Sequence, residues 1–467
     1  MGSECYKLVE LSTLLKEPPR NGLYKSKEFQ GSGHRWIKMS SIFGSDFFLS
    51  HETELLRVTE SELRRFSCEP GDLLFGRTSL VLDGVGKCLL VGDVTDSPVF
   101  ESNLFRLRFN SEKAYSLFYF YFFKSSYGRE LIQKIAKQTA AASITASDLV
   151  AQPVPYPSFL TQKKIGDLLF SFEKKIELNR QMNTTLEAMA QALFKSWFVD
   201  FDPVIDNALA AGNEIPPELA AHAARRAQAA QQTSSEQTHT LPAAIRQQFP
   251  DCFVFTDTMG WVPEGWEPLD LSSAIQINPK VTLRKGHVAK YADMKALPTS
   301  GYGIDQFEWK AYAGGAKFLN NDVLLARITP CLENGKTGLV DFLEGNEPGF
   351  GSTEFIVMRG KGAISSPYVA CLARDANFRL HCVTSMVGSS GRQRVQNACF
   401  DSYFVSVPQD ETVLKLFDAQ CSPTFKKMTA LNHETARLAS VRDTLLPKLL
   451  SGQLRIPEAE QLVAEVI

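Results

Sequence analysis

The 467-residue chain carries 50 Lys and Arg against 52 Asp and Glu, a formal net charge of −2, with 44% hydrophobic and 22% charged residues. That length exceeds what one core supports and implies two or three domains, and the composition is that of an ordinary globular protein rather than a fibrous or disordered one. The near-neutral balance excludes a uniformly basic nucleic-acid binder but leaves room for a local basic face.

The opening "MGSECYKLVE" has no apolar run for a signal peptide, and Tyr6 breaks the myristoylation pattern. The most apolar run, "AYSLFYFYFF" (114–123), is too short to cross a bilayer. Nine scattered cysteines (Cys5, Cys68, Cys88, Cys252, Cys331, Cys371, Cys382, Cys399 and Cys421), without a C-x-x-C pair, read as reduced thiols of a cytoplasmic protein with no membrane partner.

Residues 1–156 mix short apolar runs such as "DLLFG" and "LFRLRF" with Gly, Asp and Ser punctuation, which predicts strands and turns plus a helix or two around 112–137. After "PVPYP" (153–157) the period changes. Ile165, Leu168, Phe172, Met182, Leu186, Met189 and Leu193 recur at threes and fours, a heptad seam interrupted by Lys175 and Asn179. This predicts a helix from Phe159 to about Val199, roughly 60 Å long, within a segment 157–202. The stretch "ALFKSWFVDFDPV" (192–204) then carries more aromatics than one seam holds: Phe194, Trp197, Phe198 and Phe201 are expected to pack the helix end inside the chain and to leave a remainder for a partner, with Pro203 stopping the helix. Residues 203–257, rich in Ala, Gln and small polar residues, read as a partly helical mobile connector.

From 258 the pattern starts again. "GDLLFGRTS" (71–79) aligns with "NDVLLARIT" (321–329), "GKCLLV" (86–91) with "GKTGLV" (335–340), and "FESNLF" (100–105) with "FGSTEF" (350–355), at an offset of 249 or 250. "YKLVELS" (6–12) resembles "WEPLDLS" (266–272), and "ELNRQ" (177–181) resembles "ALNHE" (430–434). The chain is therefore two copies of one unit: domains over 1–156 and 258–408, and a second long helix over 409–452 with Leu414, Phe417, Cys421, Phe425, Met428, Leu431, Leu438, Leu445 and Leu449 on one side, followed by a tail over 453–467. Asn432 matches Asn179, and the two helices are expected to pair.

The search for catalytic chemistry is mostly negative. "LDGVGKC" (82–88) lacks the first Gly and the Ser or Thr of a phosphate-binding loop. "DQFEWK" (305–310) has an acid and a lysine as in some nucleases, but so short a pattern arises by chance. No Gly-rich strand-to-helix turn suits a nucleotide or methyl donor, and the adjacent His381 and Cys382 are too few for a metal site. Two similar units beside long helices suit binding to an extended partner, and at 3.4 Å per base pair a 60 Å helix spans on the order of 17 base pairs of DNA.

Three segments in order, "LNRQMNTTLEAMAQALFKSWFVDFDPV" (178–204), "GWVPEGW" (260–266) and "LLPKLLSGQL" (445–454), resemble the signature segments of the DNA-specificity subunit of type I restriction-modification enzymes. The resemblance covers essentially the whole chain. It implies an α+β fold with an internal pseudo-twofold repeat: two target recognition domains, separated by two long helices paired as an antiparallel coiled coil. The implied function is non-catalytic. The recognition domains read the halves of a gapped site in double-stranded DNA, the helices dock two methyltransferase subunits, and restriction-translocase subunits complete the complex. S-adenosylmethionine and ATP belong on those partners and no cofactor or metal on this chain, with adenine the methyl acceptor. Relatives carry Glu-Gln after the proline that opens each helix. Here the first copy has Thr161-Gln162 and the second, "PQDETVLKL" (408–416), lacks the pair, which leaves the start of the second helix open.

Candidate DNA contacts follow from residue type and matched position. Arg77 and Arg327 end matched strands, where each guanidinium either meets DNA or pairs with Asp72 or Asp322. Lys87 and Lys336 occupy matched Gly-Lys turns. "SSGRQR" (389–394) offers Arg392, Gln393 and Arg394, and its counterpart "KQTAAAS" (137–143) offers Lys137, Gln138 and Thr139. Candidates for packing between helices or against a partner are Ile165, Phe172, Asn179, Leu186, Met189, Leu193, Phe194, Trp197, Phe198, Phe201, Met428, Asn432, Leu445 and Leu449. Two other classes of function stay open at this point: a self-contained modification or cleavage enzyme, and a structural coiled-coil adaptor.

Overall fold

The computed structural model describes residues 6–48, 53–94, 96–138, 141–232, 241–304, 306–389 and 391–466. Contacts divide the chain into two units, Met1–Glu177 with Arg437–Ile467, and Leu178–Ala436. Both dividing points fall inside long helices, Phe159–Phe198 and Thr412–Ser451, each of 40 residues.

In the first unit a mixed sheet orders its strands 20–21, 104–107, 73–76, 88–91 and 47–48. The central strand Leu73–Gly76 is buried at every residue, as a strand covered on both faces must be. A second sheet pairs Gln30–Ile37 with 55–56 on one side and, in parallel, with 99–100 on the other. The helices Ser116–Lys124 and Ser126–Ile135 close the unit; Ser125 ends one and caps the other, its Oγ accepting from Gly128 N at 3.2 Å.

The second unit repeats this plan. Strands 276–277, 355–359, 323–326 and 337–339 take the order of the first four strands above. Val288–Ala292 pairs antiparallel with Glu308–Ala311 and parallel with Gly349–Gly351, and helices Ser366–Arg374 and Ala376–Thr384 occupy the place of the first pair. Leu8–Glu10 pairs with Pro153–Pro155 in one unit, and Trp266–Asp270 with Phe404–Pro408 in the other. The sequence repeat is thus a repeat of fold.

Pro203 starts a helix rather than stopping one. The first long helix ends at Phe198, Phe201 turns the chain at φ 55°, and Asp202–Ala211 begins with the proline in its first turn, where the missing N–H costs nothing. The connector is more ordered than its composition suggested: Arg226 of helix Pro217–Gln232 pairs with Asp202 at 2.9 Å and Asp206 at 2.5 Å, and His222 contacts Asp202 at 2.7 Å.

Candidate nucleic-acid interface and the long-helix seam

The frame that holds the candidate residues is the same in both units. Asp72 is 1% exposed; its Oδ2 accepts from Glu69 N at 2.8 Å, and Arg108 clamps the carboxylate at 2.7 and 2.8 Å. Asp322, 0% exposed, accepts from Leu319 N at 2.8 Å and is clamped by Arg359 at 2.6 and 2.7 Å. A buried carboxylate needs such a partner. Arg108 and Arg359, not Arg77 and Arg327, supply it.

Arg77 and Arg327 are therefore not neutralised by those acids. Arg77 donates from Nη1 to Ser102 O at 3.2 Å, and Arg327 from Nη2 to Val395 O at 2.5 Å. Their backbones are set alike: Ile144 N bonds Arg77 O and Val395 N bonds Arg327 O, both at 2.9 Å. These bonds bring the candidate loops to the arginines. In the first unit Lys137–Gln138 pairs with Ala142–Ser143, which pairs with Thr78–Ser79. In the second, Arg394 bridges both Val387 and Ile328, while Thr329 N donates to Gln393 O and Gln393 N donates to Thr329 Oγ1, both at 3.1 Å.

The side chains differ between copies. Lys137 is 70% exposed and lies 3.7 Å from Asp148. Thr139 falls outside the described residues. Arg392 is exposed at the hairpin tip, whereas Arg394 is gripped by Glu354 through bonds of 2.8 to 3.0 Å. Those bonds hold the Glu354 carboxyl below its ordinary value, partly opposed by desolvation. Exposed Lys87 sits over the Phe43 ring at 4.9 Å, and Lys336 donates to Met294 O at 2.8 Å. The structure thus gathers Arg327, Arg392, Gln393 and Arg394 at one edge of the second unit, and Arg77 with the strands 137–138 and 142–143 at the matched edge of the first. The Gly-Lys turns bond instead to the strands that precede them, Gly76 N donating to Lys87 O at 2.9 Å and Ala326 N to Lys336 O at 3.1 Å.

The long helices pair antiparallel within each unit. Ile165, Leu169, Phe172 and Ile176 share a core with Leu438, Leu445 and Leu449 in the first; Leu186, Ala190, Leu193 and Phe194 share one with Leu414, Phe417, Cys421, Phe425 and Met428 in the second. The phase of the first helix differs from the sequence expectation. Leu169 and Ile176 lie inside, while Met182 and Met189 are 40% and 61% exposed. Asn179, 1% exposed, does not interrupt the seam but belongs to it: its Nδ2 donates to Glu434 Oε2 at 2.9 Å, and Asn183 Nδ2 donates to Asn432 Oδ1 at 2.6 Å.

The aromatic stretch is core of the second unit. Phe194, Trp197, Phe198 and Phe201 are 2%, 0%, 7% and 7% exposed, with Tyr368, Phe417, Phe249 and Trp266 among their ring neighbours. These four side chains leave no remainder for a partner. At the other end, Gln162 is fully buried and fastens the helix start to its domain: Oε1 accepts from Tyr115 N at 2.9 Å, and Nε2 donates to Pro157 O at 3.0 Å and Lys113 O at 3.2 Å. The second helix begins at Thr412 with Asp410 Oδ1 accepting from Thr412 N at 3.0 Å, so an aspartate takes the place of the missing pair. Sequence reasoning passed over Arg108 and Arg359, although they close matched strands at an offset of 251 and extending the repeat alignment reaches them.

Comparison with known proteins agrees with this geometry. The family model described as the type I restriction modification DNA specificity domain matches residues 24–188. The HindI specificity subunit of Haemophilus influenzae is 27% identical over 404 residues, 82% of this chain and 86% of the relative. The MjaIX specificity subunit of Methanocaldococcus jannaschii is 21% identical over 452 residues, 93% of this chain and 90% of the relative. The chain is similar to type I restriction enzyme specificity subunits over most of its length. In fold, it is similar to the solved S subunit of the type I restriction-modification system of M. genitalium, with a TM-score of 0.54 at 13% identity, covering 96% of this chain and 97% of that one. The family model falls on the first unit and the adjoining part of its long helix, and the second unit repeats the fold of the first. No helix among the described residues is long and apolar enough to cross a membrane.

Proposed function

We propose that this specificity subunit reads a gapped bipartite DNA site, one half with each recognition domain, and directs adenine methylation or restriction by subunits docked on its long helices. One observation carries the reading: two domains share the same buried Asp–Arg clamp while differing in the side chains presented beside Arg77 and Arg327, as two readers of different sequences require. Nonspecific phosphate contacts provide much of the affinity and its salt dependence, and base-edge contacts from the hairpins provide selectivity. The paired helices act as a ruler, so their length sets the gap between half-sites. Two methyltransferase subunits bind S-adenosylmethionine, the restriction subunits bind ATP, and the chain works in the cytoplasm, where its DNA is.

The test is to purify the chain alone and together with a methyltransferase partner, and to measure methyl transfer and sequence-selective duplex binding for each. Selective binding with methylation only in the complex supports the proposal; methylation by the isolated chain overturns it.

A further inference from the structure

The second unit contains a cleft of about 710 Å³ between the segment 278–283, strand Ala316–Phe318 and strand Phe355–Arg359. Leu283, Phe355 and Val357 supply apolar walls. The charged groups in the lining are Lys280, Lys317 and Arg327, with no carboxylate among the described lining residues. Arg327 Nε is buried without a hydrogen-bond partner among the described residues, an unmet donor of the kind an anion satisfies. Exposed Lys280 follows a braced turn: Asn278, at φ 49°, bonds Val357 through both its N–H and its Oδ1, at 2.7 and 3.0 Å. Lys317 rests over the Tyr312 ring at 5.5 Å. The nearby acid, Glu354, is committed to Arg394.

We propose that this cleft seats the phosphodiester backbone of double-stranded DNA, with Lys280 and Lys317 as phosphate-binding residues beside Arg327. The inference rests on the DNA-reading function above and extends it to two lysines that the sequence repeat does not mark. The Arg327–Val395 bond joins the cleft to the hairpin bearing exposed Arg392, so a strand leaving the cleft meets a second cation on the same edge. The first unit does not repeat the Lys317 position: at the repeat offset of 250, Lys317 falls on Ser67, whose carbonyl is occupied by Arg106 and Arg108.

Phosphate contacts do not depend on sequence, so a mixed-sequence duplex is a sufficient probe. Binding of the full chain, alone and with a methyltransferase partner, is followed by fluorescence anisotropy from about 50 to 200 mM salt. Lys280→Gln and Lys317→Gln should each reduce the slope of log K against log salt by about 0.9, and the double variant by about 1.8, while the Lys→Arg variants keep the wild-type slope. A double Gln variant that binds with the wild-type slope overturns the cleft and leaves DNA reading intact. Absence of duplex binding by the wild-type chain in both forms removes the reading and the cleft together.

Discussion

Asn179 of the first long helix donates to Glu434 of the second at 2.9 Å, inside a seam that is mostly apolar. The matched Asn432 accepts from Asn183, so the two Asn of the repeat both serve the contact. Such polar contacts in an otherwise apolar seam tolerate one register and penalise slippage. Asn179→Ala removes the buried amide that donates to Glu434 and should lower unfolding free energy by about 1–3 kcal/mol, read from denaturant titration. Asn179→Leu with Glu434→Leu should recover that stability while permitting alternative registers, seen as broadened cross-linking between cysteines placed along the seam. An unchanged midpoint for Asn179→Ala argues against a structural role for the pair.

The matched carboxylate clamps should fail alike. Asp322→Ala leaves Arg359 without its partner and Leu319 N–H without its acceptor, a loss of roughly 3 kcal/mol; Asp72→Ala should cost a similar amount through Arg108 and Glu69 N–H. Urea unfolding of each variant, followed by probes in both units, tests this. Loss confined to the mutated unit is expected, and a neutral result at either site breaks the equivalence of the two frames.

Acid should release the second-unit hairpin. Glu354 is held below its ordinary value of 4.5 by the bonds from Arg394. Its folded value lies below its unfolded one, so the pairing stabilises the hairpin fully above that ordinary value and is lost as pH falls through the lower folded value. Hydrogen exchange over 387–395 should therefore rise, relative to the surrounding sheet, on acidification below about pH 4.5. Glu354→Gln should show the faster exchange already at neutral pH and no further pH step; a retained step places the titration elsewhere.

Trp197 is fully buried, so Trp197→Ala should cost about 3–5 kcal/mol through the cavity it opens. Any loss of methyltransferase binding should follow loss of folding in a thermal scan. Full stability combined with lost partner binding contradicts the core assignment.

Much of this architecture is legible in the sequence because repeats and helix periods are local signals. The nine seam positions expected in the second helix, from Leu414 to Leu449, are all buried. The first helix was misphased because Leu168, Leu169 and Phe170 are all apolar, so period alone does not choose among them, and because the seam's centre is polar at Asn179. Ion pairing was illegible for a different reason. Asp72 has Arg77 five residues away, yet its partner Arg108 arrives from a strand 36 residues on; Arg394 finds Glu354 at a separation of 40. Lys280 and Lys317 become neighbours of Arg327 only when the second-unit sheets fold.

The central claim, that this chain chooses the DNA site, is tested most directly by mapping methylated adenines in the DNA of cells that hold a methyltransferase partner, with and without this chain. A two-part motif with a fixed gap should be methylated only when the chain is present, and exchanging its first unit for that of a relative should change one half of the motif alone. A motif unaltered by removing the chain, or by exchanging the unit, contradicts it.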